Sequence, residues 1–125
     1  MLLIELMNNQ LKNINENDVF VLSDLKRILK YSELSIFQPE ACVLWTGYIT
    51  FAKVRYINFY FKGRKQALIR LLYKNFIGNL DDSTYLSHTC KNPSNCINLN
   101  HIKVKKTINQ NVFIKKPTPK IIYFD

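Results

Sequence analysis

A cluster of cysteine and histidine residues limits what this chain can fold into more than any other feature. The 125-residue sequence contains three Cys and two His, and four of these five lie between positions 88 and 101. They are His88, Cys90, Cys96 and His101. Three thiols cannot all pair as disulfides within one chain, whereas thiolates and imidazoles are the ligands of tetrahedral structural zinc. The spacing therefore predicts a structural zinc site in this polar loop.

The fourth ligand of the predicted site can come from two places. Cys90, Cys96 and His101 supply three ligands, and a closed structural site needs four. Cys42 can supply the fourth from the preceding β-region, which would tie two distant parts of a small core together. In the alternative, Cys42 is a buried apolar residue and His88 is the fourth ligand. We favour Cys42.

The charge of the chain is distributed unevenly. Residues 1–40 contain six acidic and four basic side chains, whereas residues 41–125 contain three acidic and fourteen basic ones. The first part has a net charge of −2 and the second of +11, and the whole chain has +9. A positive surface with few acidic neighbours favours a polyanion, so nucleic acid is the first candidate partner. A lysine-rich surface that is only solvated is the alternative.

The spacing of apolar residues predicts an α+β fold. Two short helices are expected within residues 1–41, and β-strands are expected from Cys42 onwards. The later elements are predicted, in order, as a strand over 54–61, a turn at Gly63, a helix over 67–76, strands over 84–88 and 102–104, and a helix over 108–116. The length favours one domain. We divide it into an N-terminal helical segment (1–41), a zinc-containing domain (42–116) and a C-terminal tail (117–125).

Several protein classes are excluded by the sequence. No apolar run approaches the roughly 18 residues that a membrane span needs, and the N-terminal residues do not resemble a secretory signal. We therefore expect an intracellular protein without a membrane partner. The composition is rich in Asn, Ile and Lys, which is typical of a large DNA virus, a phage or an AT-rich microbe. A virus-encoded protein that acts in the infected cell is consistent with it.

A longer motif surrounds the cysteine and histidine cluster. It begins with Cys42-x-x-Trp45-x-Gly47 and ends with His88-x-Cys90-x5-Cys96-x4-His101. This pattern resembles the zinc-binding-loop class of His-Me finger (ββα-metal, HNH-like) endonucleases, which includes homing endonucleases and phage and viral enzymes. The resemblance covers residues 42–111. It implies a zinc-stabilised ββα-metal core with a β-hairpin or small antiparallel sheet and the N-terminal helices beside it.

The resemblance also implies roles for individual residues. His88 occupies the position of the general base that activates a water molecule, a task for which imidazole is suited near neutral pH. Asn111 matches the ligand of a single catalytic Mg²⁺, and Asn109 is the alternative. Arg55 matches the arginine near the scissile phosphate. A structural role for His88 and a solvated Arg55 are the competing interpretations.

Basic residues around these positions are candidates for contacts with the nucleic-acid backbone. Lys53, Arg64 and Lys65 surround the predicted hairpin, and Lys105 and Lys106 precede the last predicted helix. Double-stranded DNA is the expected partner, although the sequence does not distinguish DNA from RNA or reveal a recognition sequence.

The prediction is a metal-dependent endonuclease that hydrolyses phosphodiester bonds of DNA, with structural Zn²⁺ and catalytic Mg²⁺. The rival is a non-catalytic zinc-containing nucleic-acid-binding protein, used in transcription or packaging, on a decayed nuclease scaffold. A protein-interaction module built on the N-terminal helices is a third class. The oligomeric state, a homodimer included, is left open by the sequence.

Overall fold

The structure, a computed structural model, describes residues 2–50, 56–91 and 95–106. These residues form three α-helices, one 3₁₀ turn and four β-strands, and the strands make two separate two-stranded antiparallel sheets. The predicted α+β class is therefore confirmed, whereas the predicted helix over 108–116 lies outside the described residues. None of the helices in the described ranges is both long and apolar enough to cross a membrane. In chain order the elements are α1 (Leu2–Asn9), α2 (Leu22–Ser32), β1 (Asn58–Phe61), β2 (Arg64–Ala67), α3 (Leu68–Phe76), β3 (Thr84–His88), the 3₁₀ turn (Leu99–His101) and β4 (Ile102–Lys106).

The two N-terminal helices pack on the domain through apolar residues at helical spacing. Leu6 of α1 and Ile28 of α2 are both buried. At the start of α2, the Asp24 carboxylate accepts a hydrogen bond of 2.9 Å from the backbone N–H of Val21. This bond satisfies a backbone donor that has no partner within the helix, so it fixes where α2 begins.

The β1–β2 hairpin is closed by a turn that requires positive φ. Phe61 pairs with Arg64, which leaves Lys62 and Gly63 as a two-residue loop with φ angles of 51° and 82°. Positive φ at both positions is the type I′ turn, whose twist matches that of the strands it joins. Along β1, buried aromatic residues alternate with exposed ones, so one face of the hairpin packs on the core and the other faces solvent.

The strands predicted from Cys42 onwards are wrong in their extent. Within the described part of 42–57, the β-structure is limited to two isolated bridges, Leu44 with Cys96 and Ile49 with Ile57. The chain bends at Gly47 between them. Each half pairs with a different partner segment, and within the described residues neither pairing extends into a ladder.

Helix α3 holds the turn that leads into β3. The Arg70 guanidinium donates hydrogen bonds of 2.7 Å to the Asp81 carbonyl and 2.6 Å to the Thr84 carbonyl. The Asp81 carboxylate accepts further bonds from Ser83 and from the Thr84 hydroxyl, at 2.7 to 3.0 Å. These bonds fix the start of the strand that ends at His88.

One hydrophobic core joins the N-terminal helices to the rest of the described chain. Buried apolar residues from α1 and α2 belong to the same cluster as those from β1, α3 and the loop after Cys96. The core therefore continues past residue 41, where the sequence suggested a change of segment. Its fully buried or nearly fully buried side chains include Leu6, Ile28, Ile36, Val43, Phe61, Leu68, Leu71, Leu72 and Ile97.

A buried amide fixes the N-terminal segment on α3. Asn75 is fully buried, and its Oδ1 accepts bonds of 2.8 Å from Gln10 Nε2 and 2.9 Å from the Phe20 N–H. Its Nδ2 donates at 2.8 Å to the carbonyls of Asp18 and Leu71. A buried amide is tolerated only when its polar atoms are satisfied, and Asn75 meets that condition through Leu71 on its own helix and through three residues far away in sequence.

Candidate metal centre and the histidine beside it

Four side chains from two distant parts of the chain meet in one cluster. The ligand atoms of Cys42, Cys90, Cys96 and His101 all lie within 4.8 Å of one another. His101 Nδ1 is 3.5 Å from Cys42 Sγ and 3.4 Å from Cys96 Sγ. A tetrahedral zinc ion, about 2.3 Å from sulfur and 2.0 to 2.1 Å from nitrogen, requires an S···N distance of about 3.6 Å. The cluster therefore fits a metal ion such as zinc with little rearrangement.

Backbone pairing brings Cys42 to the loop. The Ile97 N–H donates to the Val43 carbonyl at 2.7 Å, and the Trp45 N–H donates to the Asn95 carbonyl at 2.8 Å. These bonds surround the antiparallel bridge between Leu44 and Cys96. Cys42 comes one residue before this pairing and consequently lies beside Cys96, although 53 residues lie between the two in the sequence.

The other two members of the cluster lie at the end of the β3–β4 sheet. His88, the last residue of β3, pairs with Ile102, the first residue of β4. One step further, the Thr89 N–H donates to the His101 carbonyl at 2.8 Å. The sheet thus brings together Cys90, two residues after the end of β3, and His101, one residue before the start of β4.

Two asparagines hold the segment before Cys42 against this loop, and sequence reasoning did not identify them. Asn98 is fully buried and donates to the carbonyls of Gln38 at 2.9 Å and Ala41 at 2.6 Å. Its Oδ1 accepts the Asn100 N–H at 2.9 Å. The exposed Asn100 amide donates to the Phe37 and Gln38 carbonyls, at 3.0 and 2.8 Å.

The sequence around Asn98 gives no signal of its burial. Asn98 stands between Ile97 and Leu99, which are both buried. Alternation of apolar and polar residues is typical of an extended segment whose polar side chain faces solvent. The buried amide is therefore visible only in the structure, where distant carbonyls satisfy it.

Burial affects the chemistry of the central thiol. Burial, with a smaller contribution from the neighbouring thiols of Cys42 and Cys90, raises the pKa of Cys96 from an ordinary value of 9.0 to about 11. Backbone hydrogen bonds from Asn98 and Val43 act in the opposite direction. A metal ion that binds this sulfur at neutral pH must therefore displace a proton.

The Trp45 indole packs back over Gly47. A Cβ at Gly47 would lie 2.7 Å from Trp45 Nε1 and 2.9 Å from Cε2, so only glycine leaves room for the ring. The indole is buried and contacts the rings of Tyr31 and Phe59, with centroids 5.3 and 6.3 Å away. The Trp-x-Gly part of the sequence motif is thus a packing unit that anchors the chain after Cys42.

His88 lies beside the cluster but is not a member of it. Its Nε2 is 2.9 Å from the Cys96 carbonyl oxygen. Because a carbonyl can only accept, Nε2 carries the proton and Nδ1 is left as the basic nitrogen of the neutral ring. The cluster and the catalytic candidate are therefore connected through the backbone of Cys96.

Of the remaining predicted site residues, three have described side chains and the others do not. Arg64 and Lys65 are exposed on β2, and Lys105 is exposed on β4 opposite Tyr85. Arg64 and Lys65 therefore lie on a different sheet from Lys105. The side chain of Lys106 lies outside the described part of the chain, as do residues Lys53, Arg55, Asn109 and Asn111, so their predicted roles stay predictions.

Comparison with known proteins gives one informative similarity. No protein-family model matches the sequence, and no solved structure matches the fold. The chain is 42% identical over 116 residues to an uncharacterized protein of Acanthamoeba polyphaga mimivirus. The match includes 90% of this chain and 34% of the viral protein, so the chain spans about a third of that relative's length. The similarity supports the expectation of a virus-encoded protein.

Proposed function

We propose that this chain is a metal-dependent endonuclease of the His-Me finger type. The observation that carries the proposal is the hydrogen bond between His88 Nε2 and the Cys96 carbonyl, next to a cluster suited to zinc. This bond fixes the imidazole in the tautomer whose Nδ1 can accept a proton. A general base needs a basic nitrogen and a fixed orientation, and this histidine has both.

Zinc is the metal proposed for the cluster. Three thiolates and one imidazole are a common ligand set of structural zinc, and they leave no coordination position for a substrate. Such an ion would hold residues 42–45, the loop and the β3–β4 sheet together. Its role here would be to keep the Cys96 carbonyl in place, and through it the ring of His88.

The chemistry that we propose is the attack of water on the scissile phosphate. His88 Nδ1 takes a proton from the water molecule as its oxygen attacks phosphorus, and the bond to the 3′-oxygen breaks, which leaves a 5′-phosphate. A Mg²⁺ ion held by Asn111, or by Asn109, would stabilise charge on the phosphate and on the leaving oxygen. Arg55 would bind the same phosphate.

The charge distribution supports nucleic acid as the substrate. The chain carries a net charge of +9, and Arg64, Lys65 and Lys105 are exposed. Each cation that contacts a phosphate releases counterions, so binding through these residues should weaken as salt increases. Double-stranded DNA is the substrate that we propose.

Plasmid nicking tests this function. Zinc-loaded protein is incubated with supercoiled DNA and Mg²⁺, and the ends of the products are tested for a 5′-phosphate with DNA ligase. If Asn111 is the ligand, Asn111→Ala should raise the Mg²⁺ concentration that is required and Asn109→Ala should not, whereas the reverse result would assign the ion to Asn109. Binding without cleavage under any divalent metal ion would instead support the non-catalytic nucleic-acid-binding protein.

A further inference from the structure

The solvent face of the β1–β2 hairpin carries exposed tyrosine rings. Tyr60 is 59% exposed, although its neighbours Phe59 and Phe61 are buried. The bridge between Ile49 and Ile57 brings a second tyrosine, Tyr48, alongside the same sheet. Tyr48 is 58% exposed. Two aromatic rings thus lie on a surface that the core does not use.

A lysine connects the two rings. Lys65 is the cross-strand partner of Tyr60, so their side chains project from the same face of the hairpin. The Lys65 ammonium also lies over the Tyr48 ring, 5.8 Å from its centroid. The surface formed by Tyr48, Tyr60 and Lys65 therefore combines two ring faces with one positive charge.

We infer that this surface binds unpaired nucleotides of a nucleic-acid substrate. Each nucleotide joins a flat base to a negatively charged phosphate, which matches a ring beside an ammonium group. Stacking on tyrosine needs an open base face, whereas a duplex covers its base faces and offers only edges in its grooves. Because the surface has two rings and one lysine, it suits a single-stranded stretch better than a continuous duplex.

The inference rests on the proposed function, because it specifies the substrate of the same protein. It adds that the nucleic acid contains a single-stranded stretch. Tyr60 belongs to a hairpin whose other face is buried, and the bridge between Ile49 and Ile57 holds the neighbouring Tyr48, so little order has to be created on binding. Because DNA is the proposed substrate, single-stranded DNA is the expected ligand, and the experiment includes single-stranded RNA as its competitor.

The test compares single-stranded and duplex binding by fluorescence anisotropy. Zinc-loaded protein is titrated into labelled single-stranded DNA, single-stranded RNA and duplex DNA at one salt concentration. Tyr60→Leu should lower the ratio of single-strand to duplex affinity by about 5- to 100-fold, the usual contribution of one stacked base. Tyr60→Phe, the matched control, keeps the ring and should keep the ratio within about threefold.

Two further measurements separate the possible failures. Tyr48→Leu repeats the test on the second ring, and melting temperatures show whether each variant is folded. Equal ratios for Tyr60→Leu and Tyr60→Phe in folded protein would overturn the inference, and duplex nicking by the unmutated protein would then leave the proposed function intact. If the unmutated protein neither binds nor cleaves nucleic acid, both are wrong.

Discussion

Replacement of Asn98 by alanine should separate folding contacts from metal ligation. The Asn98 side chain hydrogen-bonds backbone groups rather than a metal ligand atom, and it holds the backbone just before Cys42 against the loop that carries Cys96. The backbone N–H of residue 98, which bonds the Cys96 thiol, is kept in the alanine variant. If this contact positions Cys42, its loss should weaken zinc binding although all four ligands remain.

The expected size of the effect follows from the hydrogen bonds. The buried amide donates two bonds, at 2.9 and 2.6 Å, and accepts one at 2.9 Å. At about 1 kcal/mol for each bond, Asn98→Ala should lower the free energy of unfolding of the zinc-loaded protein by about 3 kcal/mol. Because folding and metal binding are coupled, the apparent zinc affinity should fall by up to about a hundredfold.

Asn100→Ala is the matched control. The Asn100 amide also donates to two carbonyls, but it is exposed, so water can replace both bonds and the loss should stay below about 1 kcal/mol. Urea unfolding gives the stabilities, and competition with a zinc-binding dye gives the affinities. Equal effects of the two variants in both assays would refute the idea that Asn98 positions Cys42.

Three further predictions concern the metal centre and the helices. Cys42→Ser should reduce the zinc content and unfold much of the protein, because structural zinc contributes on the order of 10 kcal/mol, comparable to the whole stability of a domain. Elemental analysis measures the zinc content, and circular dichroism measures the folded fraction. Zinc affinity should rise at least about tenfold per pH unit between pH 6 and 8, because burial raises the pKa of Cys96 and zinc must displace its proton; a flat profile in dye competition would contradict this. Glu33 ends α2 with a φ of 60°, a conformation that favours glycine. Glu33→Gly should therefore raise the free energy of unfolding by up to about 1 kcal/mol in urea unfolding, whereas Glu33→Ala should not.

Sequence patterns were sufficient where local rules decide the structure. Helix α3 and strand β3 match their predicted ranges closely, because apolar spacing and flanking turn residues determine both. The cluster of Cys90, Cys96 and His101 could be predicted because ligand spacing in one loop is a local property. Cys42 could be proposed only because a closed zinc site needs a fourth ligand.

Other features depend on contacts that no local pattern contains. The pairing of residues 43–45 with 95–97 joins segments about fifty positions apart, and it replaces the longer strand predicted from Cys42. Asn75 and Asn98 are buried because distant carbonyls and N–H groups satisfy them. The bond from His88 to the Cys96 carbonyl depends in turn on how the loop closes.

The nicking rate of His88→Ala, measured beside its zinc content, tests the central claim most directly. The imidazole contacts a carbonyl rather than the cluster, so the variant should keep its zinc, its melting temperature and its DNA binding. Its nicking rate should fall by about 10²–10⁴-fold, the usual contribution of a general base. An unchanged nicking rate, or a loss of zinc together with activity, would contradict the assignment of His88 as the catalytic base.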